Sequence, residues 1–201
     1  MDTTSPSSSP PLPDARRAAA APEFALPAER HCAVFETALG LFGIAWRGEA
    51  VTMVLKPHGD RESTIAELQW QSGSDLAPPP WPPFVAEAVA AMQALLAGQA
   101  DAALRLAEVP LDWAGIGQFE REVYEAARRL APGRVCTYEE LAEITGHRGE
   151  GRAVDVALGR NPWPLIVPDH RVLPTPGTTL SGLLSDDADR TWPGGRRPPP
   201  R

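Results

Sequence analysis

Five of the eight residues in LAPPPWPP, positions 76–83, are proline. Proline lacks an amide hydrogen and fixes its own φ, so no helix interior or central strand can cross this block. The block therefore reads as a connector between the segments on either side. The chain's 201 residues suffice for one domain of ordinary size or for two small ones with cores of their own.

Upstream of the block, HCAVFETALGLFGIAWRGEAVTMVLKP reads as three short strands. Apolar residues alternate at Cys32 and Val34 and again at Leu41, Gly43 and Ala45, with Gly40 and the RGEA stretch at 47–50 as turns. A helix is expected within 61–72. Downstream, FVAEAVAAMQALLAG puts Val85, Val89, Met92, Leu95 and Leu96 on one helical face and stops at Gly98. Phe119, Val123, Ala126, Ala127 and Leu130 form the next stripe, closed by Pro132-Gly133. Thr137 followed by Glu140 is a capping-box pattern, so a helix starts there and runs to about Thr145, where Gly146 ends it. A second helix covers about 150–160; Asn161 caps it and Pro162 blocks its continuation. Helix, tight glycine-containing turn, helix is the outline of a DNA-binding helix-turn-helix. It is equally the outline of many two-helix units with no DNA partner.

Charge narrows where a nucleic acid could bind. The net charge is −7, which excludes a generally basic, nucleic-acid-coating protein. Residues 1–127 hold 8 basic and 17 acidic groups, whereas residues 128–171 hold 7 and 6, so a DNA face fits only the second part. Lys56 is the only lysine; every other basic side chain is arginine, whose fork of donors suits phosphates and base edges. Codon bias in a GC-rich genome would produce the same skew. Neither Cys32 nor Cys136 lies in a CxxC pattern, so no metal is expected. Two distant thiols behind a start without signal-peptide character read as reduced and cytoplasmic. No apolar run approaches the length of a membrane span. The Ser-, Pro- and Ala-rich first 30 residues and the terminal TWPGGRRPPPR read as flexible tails.

The segments FEREVYEAARRLAPGRVCTYEELAEITG, GRAVDVALGRNPWPLIVP and HRVLPTPG closely resemble the DNA-binding and active-site domain of the O6-alkylguanine-DNA alkyltransferases, also called methylated-DNA–protein-cysteine methyltransferases. FETALGLFGIAWRGEAVTMV resembles that family's small N-terminal domain, and LAGQADAALRLAEVPLDWAGIGQFEREVY its joining segment. The similarity runs from about residue 31 to about 183 and is most specific over 118–174. It implies an α/β fold: a small β-rich domain at 31–78, a helical connector at 79–109 and a winged helix-turn-helix domain at 110–184. Tails at 1–30 and 185–201 flank these.

Members of the family move an alkyl group from guanine O6 onto their own cysteine, which lies in a Pro-Cys-His-Arg motif. Here the motif is Pro168-Asp169-His170-Arg171, with a carboxylate at the acceptor position. The resemblance makes His170 the base that drew a proton from the thiol through water. It makes Tyr138 the phenol that touches the flipped nucleotide's phosphate and donates toward the purine. Arg152, in GRAV, becomes the side chain that fills the hole left by the extruded base, whose unstacking costs about a few kcal/mol. Thr137 and Ala153 flank these two on the DNA-facing side. Asn161 and Arg171 brace the recognition helix against the acceptor loop. On the residues alone, each has a plainer reading. Arg152 is an exposed helix arginine, Tyr138 a core aromatic at a helix start, Asn161 a C-cap and His170 a hydrogen-bonded buried histidine.

The chain departs from the family pattern elsewhere. Leu180 stands where a tyrosine is expected, although Ser181-Gly182 is kept, and the helix bearing a histidine-orienting glutamate is not recognisable. Asp186, Asp187 and Asp189 are the only acids nearby. Cys136, two residues before Tyr138, is poorly placed to replace the missing thiol, and Cys32 more so. A carboxylate is ionised without a base but is a weak nucleophile toward a poor leaving group. The leading expectation is a DNA repair protein that recognises and flips O6-alkylguanine without cysteine transfer. Its partners would be double-stranded DNA containing alkylated guanine and other repair proteins; it would be a monomer and need no cofactor. Two alternatives stand beside it. Asp169 could be an active acceptor, or a hydrolytic dealkylase with His170. The chain could instead be a decayed paralogue or a protein-interaction module whose Pro-rich ends, SPPLPDARR and RRPPPR, act as ligands. A fixed negative charge also weakens binding near phosphates unless it is protonated or paired with His170 or Arg171.

Overall fold

The three upstream strands form an antiparallel meander: β1 (Arg30–Thr37), β2 (Gly40–Arg47) and β3 (Ala50–Leu55). The structure is a computed structural model and describes residues 29–174. The expectations for both tails, and for Leu180, Ser181, Gly182, Asp186, Asp187 and Asp189, lie outside those residues. Gly40 (φ 116°) and Gly48 (φ 56°) make the two hairpin turns, in backbone conformations that cost other residues steric strain. A two-residue strand, β4 (Asp75–Leu76), adds to the far side of β1 in parallel, giving the order β3-β2-β1-β4. Nothing in the sequence pattern marked it.

Both faces of this sheet are buried, whereas the strand alternation had marked one. α1 (Arg61–Ser72) is N-capped by the Asp60 carboxylate, which accepts the Ser63 amide at 2.8 Å, and ends at the left-handed Gly73. It lays Leu68 over Cys32, Val34, Ala45 and Met53. The approach is close: a Cβ on Gly43 would lie 2.8 Å from Leu68 Cδ2. The opposite face, with Ala33, Phe35, Phe42, Ile44 and Trp46, packs into the main core.

The proline block delivers the chain to α2 (Pro83–Leu96), which has proline at its first position, where the missing amide has no helical partner to lose. A short α3 (Ala102–Ala107) follows that the sequence reading did not contain. α4 (Gln118–Arg128) is shorter than its apolar stripe, because Arg129 already caps it ahead of Pro132-Gly133. Its Arg128 guanidinium binds the carbonyls of Leu106, Ala107 and Val109 at 3.2, 2.6 and 2.7 Å, fastening the connector to α4. α5 (Tyr138–Ile144) and α6 (Gly151–Gly159) form the helix-turn-helix, and β5 (Cys136–Thr137) pairs in parallel with β6 (Val172–Leu173).

The two parts meet along the outer edge of β3. The Val51 amide donates to Pro110 O (2.9 Å), and Val51 O accepts the Asp112 amide (2.9 Å) and the Trp163 indole Nε1–H (2.9 Å). The Val54 amide donates to Pro162 O at 2.8 Å, and Arg47 pairs with Asp112 at 2.6 Å. An edge strand that would otherwise expose unpaired amides is thus covered, and one buried apolar cluster runs from Ala33 to Val172. The protein is a mixed α/β structure with an N-terminal sheet and a helical C-terminal part. Among the described residues, no helix is long and apolar enough to cross a membrane.

Candidate functional site

The segment from Asn161 to Arg171 is shaped by one side chain. Asn161 accepts the Trp163 amide on Oδ1 (2.9 Å) and donates from Nδ2 to Val167 O (3.1 Å). Trp163 is wholly buried, edge-on to both Tyr124 and Trp113. Between these anchors the chain reverses at Leu165, whose φ of 73° is left-handed, a strained state for a side chain with a Cβ. Pro168 follows, and Asp169–Arg171 form one 3-10 turn. Asn161, the residue after the C-cap Arg160 of the second helix, is thereby tied to the chain at Val167, two residues before Asp169.

Asp169 is three-quarters buried and stands beside Lys56 and His170. Its Oδ1 accepts the His170 amide at 2.8 Å and lies 3.7 Å from His170 Nδ1. The second distance is beyond hydrogen-bond range, so the ring acts by its electrostatics. Its Oδ2 lies 3.7 Å from Lys56 Nζ, at the end of β3. Burial is the largest single influence on this carboxyl and would raise its pKa, but the His170 side chain and amide and the Lys56 charge together outweigh it, leaving the pKa below the ordinary value. Asp169 is therefore ionised at neutral pH. Of the two partners the sequence suggested, only His170 lies against the carboxylate. Arg171 Nη1 points instead at Leu130 O, 3.4 Å away, and ties the turn to the end of α4. Lys56, in the other half of the chain, takes its place.

Tyr138 opens α5 behind the expected cap: Thr137 Oγ1 accepts the Glu140 amide (3.1 Å), and Glu140 accepts the Thr137 amide (2.7 Å). Tyr138 is half-buried. Its phenol is pushed up to about 12 by burial first, then by the charge of Asp155, a hydrogen bond to it, and the charge of Asp169. Tyr138 is thus within electrostatic reach of both α6 and the acceptor-position carboxylate. Asp155 is three residues beyond Arg152, on the same face of α6. Arg152 is exposed and makes no ion pair among the described residues, and Ala153 beside it is partly buried. Sequence reasoning missed Asp155; its i+3 spacing from Arg152 was the available signal.

Neither cysteine is a thiolate. Burial pushes Cys32 up to about 11, with Asp75 adding to it, and burial followed by the Glu140 charge raises Cys136. A cleft of about 450 Å³ lies elsewhere, between Arg47, Asp112, Gly117, Arg160 and Trp163; Tyr138, Arg152, Asp169 and His170 do not line it. Among the described residues, no cluster of three or more metal-ligating side chains occurs.

This arrangement of helix-turn-helix, braced loop and Pro-x-His-Arg turn has counterparts. Residues 118–190 match the family model described as 6-O-methylguanine DNA methyltransferase, DNA binding domain. Over those residues the chain is similar to the DNA-binding domain of the O6-alkylguanine-DNA alkyltransferase family. The methylated-DNA–protein-cysteine methyltransferase of Salmonella typhimurium is 40% identical over 74 residues, which cover 37% of this chain and 43% of that protein. The chain thus spans less than half the length of the first such alkyltransferase relatives. The Mycobacterium leprae protein of the same name is 29% identical over 150 residues, covering 75% of this chain and 82% of its own. Among solved alkyltransferases, Mycobacterium tuberculosis O6-methylguanine methyltransferase superposes with a TM-score of 0.57 at 25% identity, covering 75% of this chain and 82% of that one. The same mycobacterial protein in complex with DNA gives 0.54 at 25% identity, covering 72% and 79%.

Proposed function

We propose that this protein recognises O6-alkylguanine in duplex DNA, turns the base out of the stack and holds it without transferring the alkyl group to cysteine. One observation carries the reading. An ionised Asp169, paired with Lys56, stands at the acceptor position, while both thiols are buried and protonated. A carboxylate is too weak a nucleophile for displacement at an O6-alkyl carbon without further activation, and its partners here draw electron density from it. Arg152 would enter the duplex and fill the gap left by the base. Tyr138 would meet the extruded nucleotide. Asn161 would keep the loop in register with the helix that carries Arg152.

The test incubates the protein with duplex DNA carrying labelled O6-methylguanine. Label retained on DNA in a shifted complex, bound more tightly than the unmodified duplex, is the expected result. Label on the protein would show an active acceptor, label released to solvent a dealkylase, and no complex an altered or lost function. Each of those three outcomes overturns the reading.

A further inference from the structure

We infer that Lys56 is the positioning residue that makes a carboxylate at the acceptor position compatible with bound DNA. The inference rests on the DNA-binding reading above and deepens it. Lys56 is the only lysine in the chain. It belongs to the N-terminal sheet, yet its ammonium reaches Asp169 in the other part. The strand that presents it is fastened beside the loop at Val51 and Val54 by backbone hydrogen bonds to Pro110, Asp112 and Pro162, so the approach is built into the fold.

The need for such a cation follows from charge. DNA phosphates present a dense row of negative charge, and screening in physiological salt extends only about 8 Å. Asp169 is 25% exposed, so its charge reaches the surface where a duplex would lie. Asp155 adds another negative group beside Tyr138. Arg171 is turned to Leu130 O, so it does not neutralise the loop. The site also does not neutralise itself by protonation, since the Asp169 carboxyl titrates below its ordinary range. That leaves Lys56 as the permanently charged cation beside Asp169. At 63% exposure and 3.7 Å, the ammonium is close enough to compensate charge and free enough to turn toward a phosphate or a base when one arrives.

The arrangement is tested with four proteins, wild type, K56M, D169N and K56M/D169N, titrated against O6-methylguanine duplex at several salt concentrations. The Lys56–Asp169 pair carries charge 0, −1, +1 and 0 in that order. Affinity should sort by this charge: D169N tightest, wild type and the double variant together, K56M weakest by about two- to fivefold, the scale of a partly exposed ion pair. K56R should behave as wild type. D169N frees the ammonium for a phosphate and should steepen the log–log salt slope by about 0.9; this arm holds even if K56M fails to fold. Failure of D169N to restore K56M, or a salt slope unchanged in D169N, would overturn the inference while leaving DNA binding intact. A wild-type protein that ignores the alkylated duplex would bring down the functional reading and the inference together.

Discussion

Replacing Asn161 with alanine removes two hydrogen bonds at once, and the cost can be worked from the geometry. The Trp163 amide, which Asn161 Oδ1 accepts at 2.9 Å, has no other partner among the described hydrogen bonds. Trp163 is fully buried, so water cannot replace the lost acceptor. Val167 O, at 3.1 Å from Nδ2, also accepts the Asp169 amide at 2.9 Å, so it loses one hydrogen bond without being left unsatisfied. A hydrogen bond contributes about 1 kcal/mol net, and a buried group left unsatisfied costs about 1–3 kcal/mol. The two losses together should destabilise the protein by about 2–4 kcal/mol. For a chain of this size that is a fall in Tm of about 5–15 °C. Urea denaturation followed by tryptophan fluorescence measures it directly, because Trp163 reports on the affected loop. Asn161→Asp is the control. It keeps the acceptor for the Trp163 amide but turns a second oxygen toward Val167 O, so it should be destabilised most where that aspartate is ionised and recover in acid. An alanine variant within about 0.5 kcal/mol of wild type would mean that the loop holds its shape without the asparagine, which refutes the bracing argument.

Two further outcomes follow from the titrations. Because the folded-state pKa of Asp169 is depressed, its ionisation stabilises the fold above the ordinary carboxylate range, and that contribution is lost as the pH falls through the depressed value. The stability difference between wild type and D169N should therefore be largest near neutral pH and shrink as the pH falls through and below the ordinary carboxylate range; a difference that does not vary with pH would contradict it. The raised, buried thiols of Cys32 and Cys136 should react slowly with a disulfide reagent at pH 7.5 and quickly once denatured. One thiol titrating rapidly in the native protein would reopen the question of a substitute acceptor.

Much of the site was legible because it is written in short-range chemistry. The Thr137–Glu140 box closes within one helical turn, so the pattern alone places the start of α5. Asn161 and Pro162 end α6 by local rules, and the strands and their glycine turns follow from alternation and punctuation. The order of motifs around Pro168-Asp169-His170-Arg171 carried the resemblance to the family. α3 and β4 escaped notice because six- and two-residue elements leave too little periodicity to detect.

The amino-acid sequence by itself determined which groups this protein has to work with: an arginine on a second helix, a phenol behind a capping box and a carboxylate where a thiol would stand. Only the tertiary structure decided what surrounds that carboxylate. The Trp163 indole meets Val51 across 112 residues of chain, and the same strand edge brings Lys56 to Asp169 while Arg171 turns away. A counter-charge from a distant strand leaves no local pattern, because it depends on how two separately folded surfaces dock.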